Sequence, residues 1–211
     1  MPLHGSNVVH GDLKPENVLV FTNASGYTAK VTDFGYSYFG ASEDEVVYLP
    51  FSSRWAAPEY NGAGFVLRDA KKSDFYSYGL LYWYILFQKY FNDPDTVGQR
   101  VPKMKAQNTT TNQNAESPQD YLKMKLDKTI DERFPGTTES QKSILLGFFQ
   151  STLSITATRC SDFTILIAYL DKFKSFADSG SPLELTEVPK LDVSVLEHAG
   201  FSSPDQNQEG Y

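Results

Sequence analysis

Apolar positions along the chain change their rhythm twice. Up to residue 35 they come in short runs of β-branched and aromatic residues: Val8-Val9-His10, Val18-Leu19-Val20-Phe21 and Tyr27–Thr32. Such runs read as strand pieces. Thr22-Asn23-Ala24-Ser25-Gly26, between the last two, is rich in turn formers and predicts a hairpin connection. Residues 36–56 show no period and read as irregular. Their acidic cluster, Glu43-Asp44-Glu45, reads as a solvated loop. Ser73 or Asp74 is placed to cap a helix over Ser73–Tyr90. Within it Phe75–Phe87 is apolar or aromatic on every face, the pattern of a helix at the centre of a core. Tyr121–Phe134 predicts another helix. Thr138-x-x-Gln141 forms a capping box ahead of Ile144-Leu145-Leu146 and Phe148-Phe149. Ser161–Phe176 predicts a last, amphipathic helix. The polar stretch Gln99–Gln119 reads as a long loop. The predicted fold class is mainly α with short β-hairpins over residues 1–176, followed by an acidic, disordered tail over 177–211.

Composition narrows the function classes. A chain of 211 residues is one domain of ordinary size, with or without a tail. With 40% apolar and 21% charged residues it is not a disordered polymer. Of the net charge of −7, −6 belongs to the tail, where seven acids face one base from Ala177 onward. Neither part has the basic surface on which nucleic-acid binding relies. The longest apolar run, Gly79–Phe87, is far short of a membrane span. No basic stretch and apolar block open the chain, so no secretory signal is read there. A single cysteine, Cys160, builds neither a disulfide framework nor a cysteine zinc site. The expectation is a cytoplasmic or nuclear protein without nucleic-acid or membrane partners.

The string with most chemistry is His10-Gly11-Asp12-Leu13-Lys14-Pro15-Glu16-Asn17. It sets an acid, a lysine two residues on and an asparagine five residues on upon one tight loop. Phosphoryl transfer uses such a set: a carboxylate to orient the attacking hydroxyl, a cation on the moving phosphoryl, and an amide oxygen on a metal ion. Asp33-Phe34-Gly35 offers a further carboxylate beside a turn-permitting glycine. Trp55-Ala56-Ala57-Pro58-Glu59, Asp74 before the apolar helix, and Arg159 before the last helix complete the set. Taken singly, the triplets are weak signals and Arg159 is an ordinary surface residue; the eight-residue string is the specific one.

These five strings, in this order, resemble the C-terminal lobe of a eukaryotic-type protein kinase from about Leu3 to Phe176. The resemblance implies a catalytic loop at 10–17 and an activation segment of 27 residues at 33–59. It implies Asp12 as catalytic base, Lys14 on the ATP γ-phosphate, and Asn17 with Asp33 on Mg²⁺. It further implies His10, Phe34 and Gly35 as support, a buried Glu59–Arg159 pair, and Asp74 accepting from the catalytic-loop backbone. Lys14 at its spacing, and Ser52 five residues before Ala57, resemble the serine/threonine class. The expected activity is transfer of the γ-phosphate to serine or threonine hydroxyls of a protein substrate. Aminoglycoside and choline kinases resemble the His-Gly-Asp loop too, but lack the Ala-Pro-Glu segment and its arginine.

Two departures from the pattern carry expectations. Gly11 stands where the family usually has an arginine that receives an activation-segment phosphate. Phosphorylation of Ser37, Ser42 or Tyr48 is therefore not expected to switch the site on by that route. Only nine residues precede His10, so the N-terminal lobe, with its glycine-rich loop and lysine–glutamate pair, is expected to be missing. The helix that in the family leads into the catalytic loop and packs on the central helix is expected to be missing too, apart from Met1–Leu3. Four or five large side chains would then lie bare, forfeiting roughly 6–15 kcal/mol. Whole domains have about 5–15 kcal/mol to lose. The truncation is read first as a piece of a longer active kinase. The alternatives are a non-catalytic pseudokinase that binds partners, or a lobe completed by a partner chain. In the tail, Leu183, Leu185, Val188, Leu191, Val193 and Val195 read as a docking segment or a solvated linker.

Overall fold

A computed structural model describes residues 2–24, 26–50, 54–60, 64–91, 118–154 and 156–178. Ser52, most of the polar 99–119 stretch and the tail beyond residue 178 lie outside the described residues.

The chain opens with a single helical turn, α1 (Pro2–Gly5), and strand β1 (Val8–Val9). A 3₁₀ turn at Pro15–Asn17 leads into β2 (Val18–Asn23), which pairs antiparallel with β3 (Gly26–Val31) from Val18↔Val31 to Asn23↔Gly26. The hairpin is longer than its apolar runs predict, because Thr22 and Asn23 stay in the ladder. Residues 36–56 are not irregular throughout. β4 (Tyr38–Phe39) pairs with β1, and β5 (Val46–Val47) pairs with β6 (Phe65–Val66). Each of these strands is two residues long, too short for alternation to show.

Helix α2 runs from Leu67 to Phe91, six residues earlier than the capping signals at Ser73 and Asp74 suggest. Those two residues lie inside the helix. Ser73 donates from its hydroxyl to the Ala70 carbonyl at 2.7 Å. The true start is capped by backbone. Leu67 N–H and Arg68 N–H donate to the carbonyls of Glu45 and Glu43 at 2.8 and 3.1 Å. These satisfy first-turn donors that no side chain caps. The charged Arg68-Asp69 and Lys71-Lys72 hide the first turns from a hydrophobicity reading. Leu67 and Ala70 are nevertheless buried against Val9, Val47 and Leu49.

Helices α3 (Pro118–Arg133), α4 (Glu139–Leu153) and α5 (Phe163–Asp178) complete the fold, with α4 packed against α2, α3 and α5. The Thr138 capping box forms as predicted: Gln141 N–H donates to Thr138 Oγ1, and Thr138 N–H to Gln141 Oε1 at 2.9 Å. At the start of α5, Asp162 Oδ1 accepts from Thr164 N–H at 2.9 Å. That places the start two residues after Ser161 and carries α5 through Ala177 and Asp178, which the sequence assigned to the tail.

The core is the aromatic seam of α2. Phe75, Tyr76, Leu80, Trp83 and Phe87 are buried with Leu145, Phe148, Phe149 and Leu153 of α4 and Leu126 and Ile130 of α3. Gly79 permits the close α2–α4 approach. A Cβ there would stand 2.6 Å from Thr152 Cβ and 2.8 Å from Leu153 Cδ2. The central helix is covered in part, with Ile85 left 53% exposed. Phe75 is covered by His4 of α1 and by Phe163 of α5, at ring separations of 5.1 and 6.2 Å. Among the described residues, no helix is long and apolar enough to cross a membrane.

Candidate active site

The His10–Asn17 loop hangs from one buried carboxylate. Asp74, on α2, accepts from His10 N–H at 2.8 Å and from Gly11 N–H at 2.9 Å. The resemblance implied this contact, and Asp74 sits two turns into α2. A third donor was not anticipated. His4 Nε2 lies 2.9 Å from Asp74 Oδ2, while its buried Nδ1 has no partner among the described residues. A signal existed, since two of the chain's three histidines, His4 and His10, stand six residues apart.

His10 is fully buried. Its Nε2 faces the Thr32 carbonyl at 2.9 Å, and its Nδ1 faces Asp12 N–H at 3.3 Å. A carbonyl only accepts and an N–H only donates. This assigns the proton to Nε2. The ring also meets Phe34 edge-on at 5.2 Å, so His10 joins the loop to the Asp33–Gly35 turn. Phe34 itself is 43% exposed. Gly11 has φ +78°, and a Cβ on it would lie 3.0 Å from Leu49 Cδ2 and 3.3 Å from the Tyr36 carbonyl oxygen. Any side chain at this position meets both a strained backbone and an occupied space.

Three predicted residues converge on one carboxylate. Asp12 is buried, and its Oδ2 accepts from Lys14 Nζ at 2.6 Å and from Asn17 Nδ2 at 3.2 Å. Asn17 Nδ2 also donates to the Asp12 carbonyl at 2.8 Å. Its amide nitrogen is therefore committed to Asp12, and Oδ1 remains as the atom that can ligate a cation. The hydrogen bond to Asp12 pushes the Lys14 ammonium above its ordinary pKa, against desolvation, and the charges of Glu16 and Asp33 add to this. Lys14 is a fixed positive charge at neutral pH.

Asp33 is exposed and takes a left-handed backbone, φ +60°, with Oδ1 accepting from Gly35 N–H at 3.2 Å. A non-glycine residue in that region is strained and points to function. Among the described residues no group of three or more His, Cys, Asp or Glu side chains gathers as a metal site. One carboxylate and one amide oxygen are hard donors that suit Mg²⁺, which keeps waters and phosphate oxygens as its other ligands.

Glu59 and Arg159 form the expected buried pair, 100 residues apart. Arg159 donates from both Nη atoms to both Glu59 oxygens, one contact at 3.1 Å. It also donates to the carbonyls of Ser154 and Lys72, and its guanidinium lies 4.7 Å from the Tyr76 ring centre. Burial by itself would raise the Glu59 carboxyl. The hydrogen bond and charge of Arg159 outweigh it and hold Glu59 below the usual carboxylate range. In the acidic Glu43–Glu45 cluster Glu43 and Asp44 face solvent, as a solvated loop would, yet all three acids have partners. Glu43 pairs with Lys71, Asp44 with Arg68, and Glu45 with the Tyr38 hydroxyl and Ala41 N–H.

Comparison with known proteins agrees with this geometry. The family model of the protein kinase domain matches residues 2–161. A calcium/calmodulin-dependent serine/threonine-protein kinase of Malus domestica is 41% identical over 84 residues, 40% of this chain and 20% of that protein. The leucine-rich repeat receptor-like protein kinase TDR of Arabidopsis thaliana is 34% identical over 88 residues, 42% and 8% of the two chains. The probable serine/threonine-protein kinase gdt8 of Dictyostelium discoideum is 36% identical over 90 residues, 41% and 6%. The matched stretch spans a fifth or less of each of these relatives. With three-quarters of its length matched by the family model, the chain belongs to the protein kinase domain family.

Proposed function

We propose that this chain is the C-terminal lobe of a serine/threonine protein kinase and holds its phosphoryl-transfer residues. The observation that carries the reading is the Asp12 carboxylate, gripped by Lys14 and Asn17 on a loop suspended from Asp74. Asp12 orients the acceptor hydroxyl and takes its proton. Lys14 sets its charge against the transferring phosphoryl. Asn17 Oδ1 and the Asp33 carboxylate are the ligands for Mg²⁺ carried with ATP. The metal, when bound, neutralises charge on the phosphate oxygens. His10, Phe34 and Gly35 fix the turn carrying Asp33, and the Glu59–Arg159 pair anchors the far end of an activation segment over 33–59. Lys14 at its spacing, and the serine/threonine kinases among the relatives, support serine or threonine as acceptor in a protein substrate. Ser52 would belong to the loop that receives it.

Two apolar surfaces support a covering element over the site. Phe34 is half exposed, and hairpin β2–β3 shows Val20 at 62% and Tyr27 at 80%. An N-terminal lobe, in the same polypeptide or from a partner, fits that place. The same surface favours a second reading, a non-catalytic module that binds through it.

The test is Mg·ATP binding by calorimetry, together with transfer of labelled γ-phosphate to serine, threonine and tyrosine peptides. Asp33→Asn is expected to abolish Mg·ATP binding. Asp12→Asn is expected to keep binding while transfer falls about 10³-fold, the range for loss of a general base. Binding untouched by Asp33→Asn would overturn the assignment. Binding without any transfer would favour the second reading.

A further inference from the structure

The segment between Gly35 and Val47 is held to the rest of the chain at both ends and in the middle. Its first anchor is β4 on β1, with Gly40 N–H donating to the Asn7 carbonyl at 3.0 Å. Its last is β5 on β6. Between them, the carbonyls of Glu43 and Glu45 cap the first turn of α2. Carboxylates at a helix N-terminus also lie favourably in the helix dipole.

One side chain joins these anchors. Lys71 Nζ donates to Asn7 Oδ1 at 2.8 Å and to the Glu43 carboxylate. Its side chain is only 12% exposed, against 50% for Glu43. A largely covered ammonium with two acceptors is screened less than a surface pair. The neighbouring Arg68–Asp44 pair is exposed at both ends and carries little. Lys71 stands one helical step before Asp74, so one stretch of α2 grips the catalytic loop through Asp74 and the segment through Lys71. Asn7 precedes β1 directly and takes φ +54°. Gly11 itself has no side chain to receive a phosphate, and a Cβ there would be strained and crowded by Leu49 and the Tyr36 carbonyl.

We propose that Lys71 is a positioning residue that, through Glu43 and Asn7, locks the activation segment in place without phosphorylation. The catalytic meaning of the lock rests on the kinase reading above; the lock itself does not. The experiment is hydrogen exchange on the full chain at the amides of Gly40, Glu45, Leu67 and Arg68, with α4 amides as a control for global opening. Lys71→Met and Glu43→Gln are each expected to speed exchange at those amides about tenfold, with α4 unchanged. The double variant should exchange no faster than either single one. The swapped pair Lys71→Glu with Glu43→Lys should restore protection, because the Asn7 amide can turn its nitrogen toward a carboxylate. Single variants that exchange like the parent, or effects that add in the double variant, would overturn the proposal. Glu43→Gln changes a half-exposed group and keeps the test open should Lys71→Met fail to fold.

Phosphotransfer separates the two readings. Lys71→Met is expected to lower kcat at saturating ATP about tenfold, with KM for ATP unchanged and Lys71→Arg close to the parent. A kcat unaffected by Lys71→Met would overturn the positioning role. A parent chain that transfers no phosphate at all would count against the kinase reading, and the exchange pattern would then decide the lock by itself.

Discussion

The α2–α4 seam and the β2–β3 hairpin are built from similar residues and have opposite fates. In the seam, aromatic side chains from two helices interlock, and Trp83, Phe87, Phe148 and Phe149 meet one another at ring separations near 5 to 6 Å. In the hairpin, six residue pairs register without a break. Yet Leu19 and Phe21 on one face and Val20 on the other all face solvent, and of β2 only Val18 packs against the core. An isolated two-stranded hairpin is marginal in water. The helical part therefore supplies the stability, and the hairpin borrows it through its base, where Thr32 N–H donates to the Asn17 carbonyl at 2.9 Å. Apolar composition does not decide burial; a second apolar layer does.

The sharpest way to break the helical side of this contrast is to leave a charge stranded in it. Arg159→Met removes the partner of Glu59 while that carboxylate stays mostly buried. Breaking such a pair from one side costs about 3–5 kcal/mol, whereas replacing both members with apolar residues is often near neutral. Urea unfolding should show Arg159→Met far less stable than the parent, and Glu59→Leu with Arg159→Met less damaged than the single change. Equal midpoints for parent and Arg159→Met would mean the pair is dispensable.

Crowding comes next. Gly79→Ala places a methyl group 2.6 Å from Thr152 Cβ. The backbone of α4 must shift, and overpacking of this kind costs about 1–3 kcal/mol. Alanine otherwise favours helix by up to about 1 kcal/mol over glycine, so the two effects have opposite signs. A lower melting temperature for Gly79→Ala would show that packing wins; a higher one would mean the seam is looser than its geometry.

The same comparison explains what was legible in the sequence. The all-apolar run Phe75–Phe87 announced a core helix, and the Thr138–Gln141 box announced α4, because both signals are local. The start of α2 was not legible. Its caps are carbonyls of Glu43 and Glu45, more than twenty residues upstream, and no side-chain pattern at Leu67 reports them. The partners of the acidic cluster were hidden for the same reason. Glu43 and Asp44 are exposed, and no local pattern reports that Lys71 and Arg68 stand opposite them beside the β5–β6 pair. In the site, the motif located Asp12, Lys14 and Asn17 together. His4 was missed because its nearness to His10 in the sequence does not name a partner, and that partner, Asp74, lies 70 residues away.

A subtler test uses pH. The folded-state pKa of Glu59 is lowered: burial opposes ionisation, but the hydrogen bond and charge of Arg159 prevail. A depressed carboxylate stabilises the fold fully above its unfolded value, near 4.3, and that contribution fades as pH falls through the folded value. The parent should therefore lose stability on acidification more steeply than Glu59→Gln, which has no proton to take up. Unfolding midpoints measured from neutrality into the acid range would compare the slopes. Parallel curves would show that other carboxylates carry the acid limb.

The smallest effect is expected on the hairpin and tests the comparison from its other side. Val20→Thr with Tyr27→Ser keeps β propensity at one position and removes exposed apolar surface at both. Neither side chain is buried. Substitutions away from packed groups usually lie within about 0.5 kcal/mol of the parent. The unfolding midpoint should hardly move, while binding of a dye that reports apolar surface should fall. A loss well beyond that range would mean that the hairpin is packed in solution and the contrast with the seam is wrong. An unchanged midpoint with lower dye binding would show that these side chains do not hold the chain together.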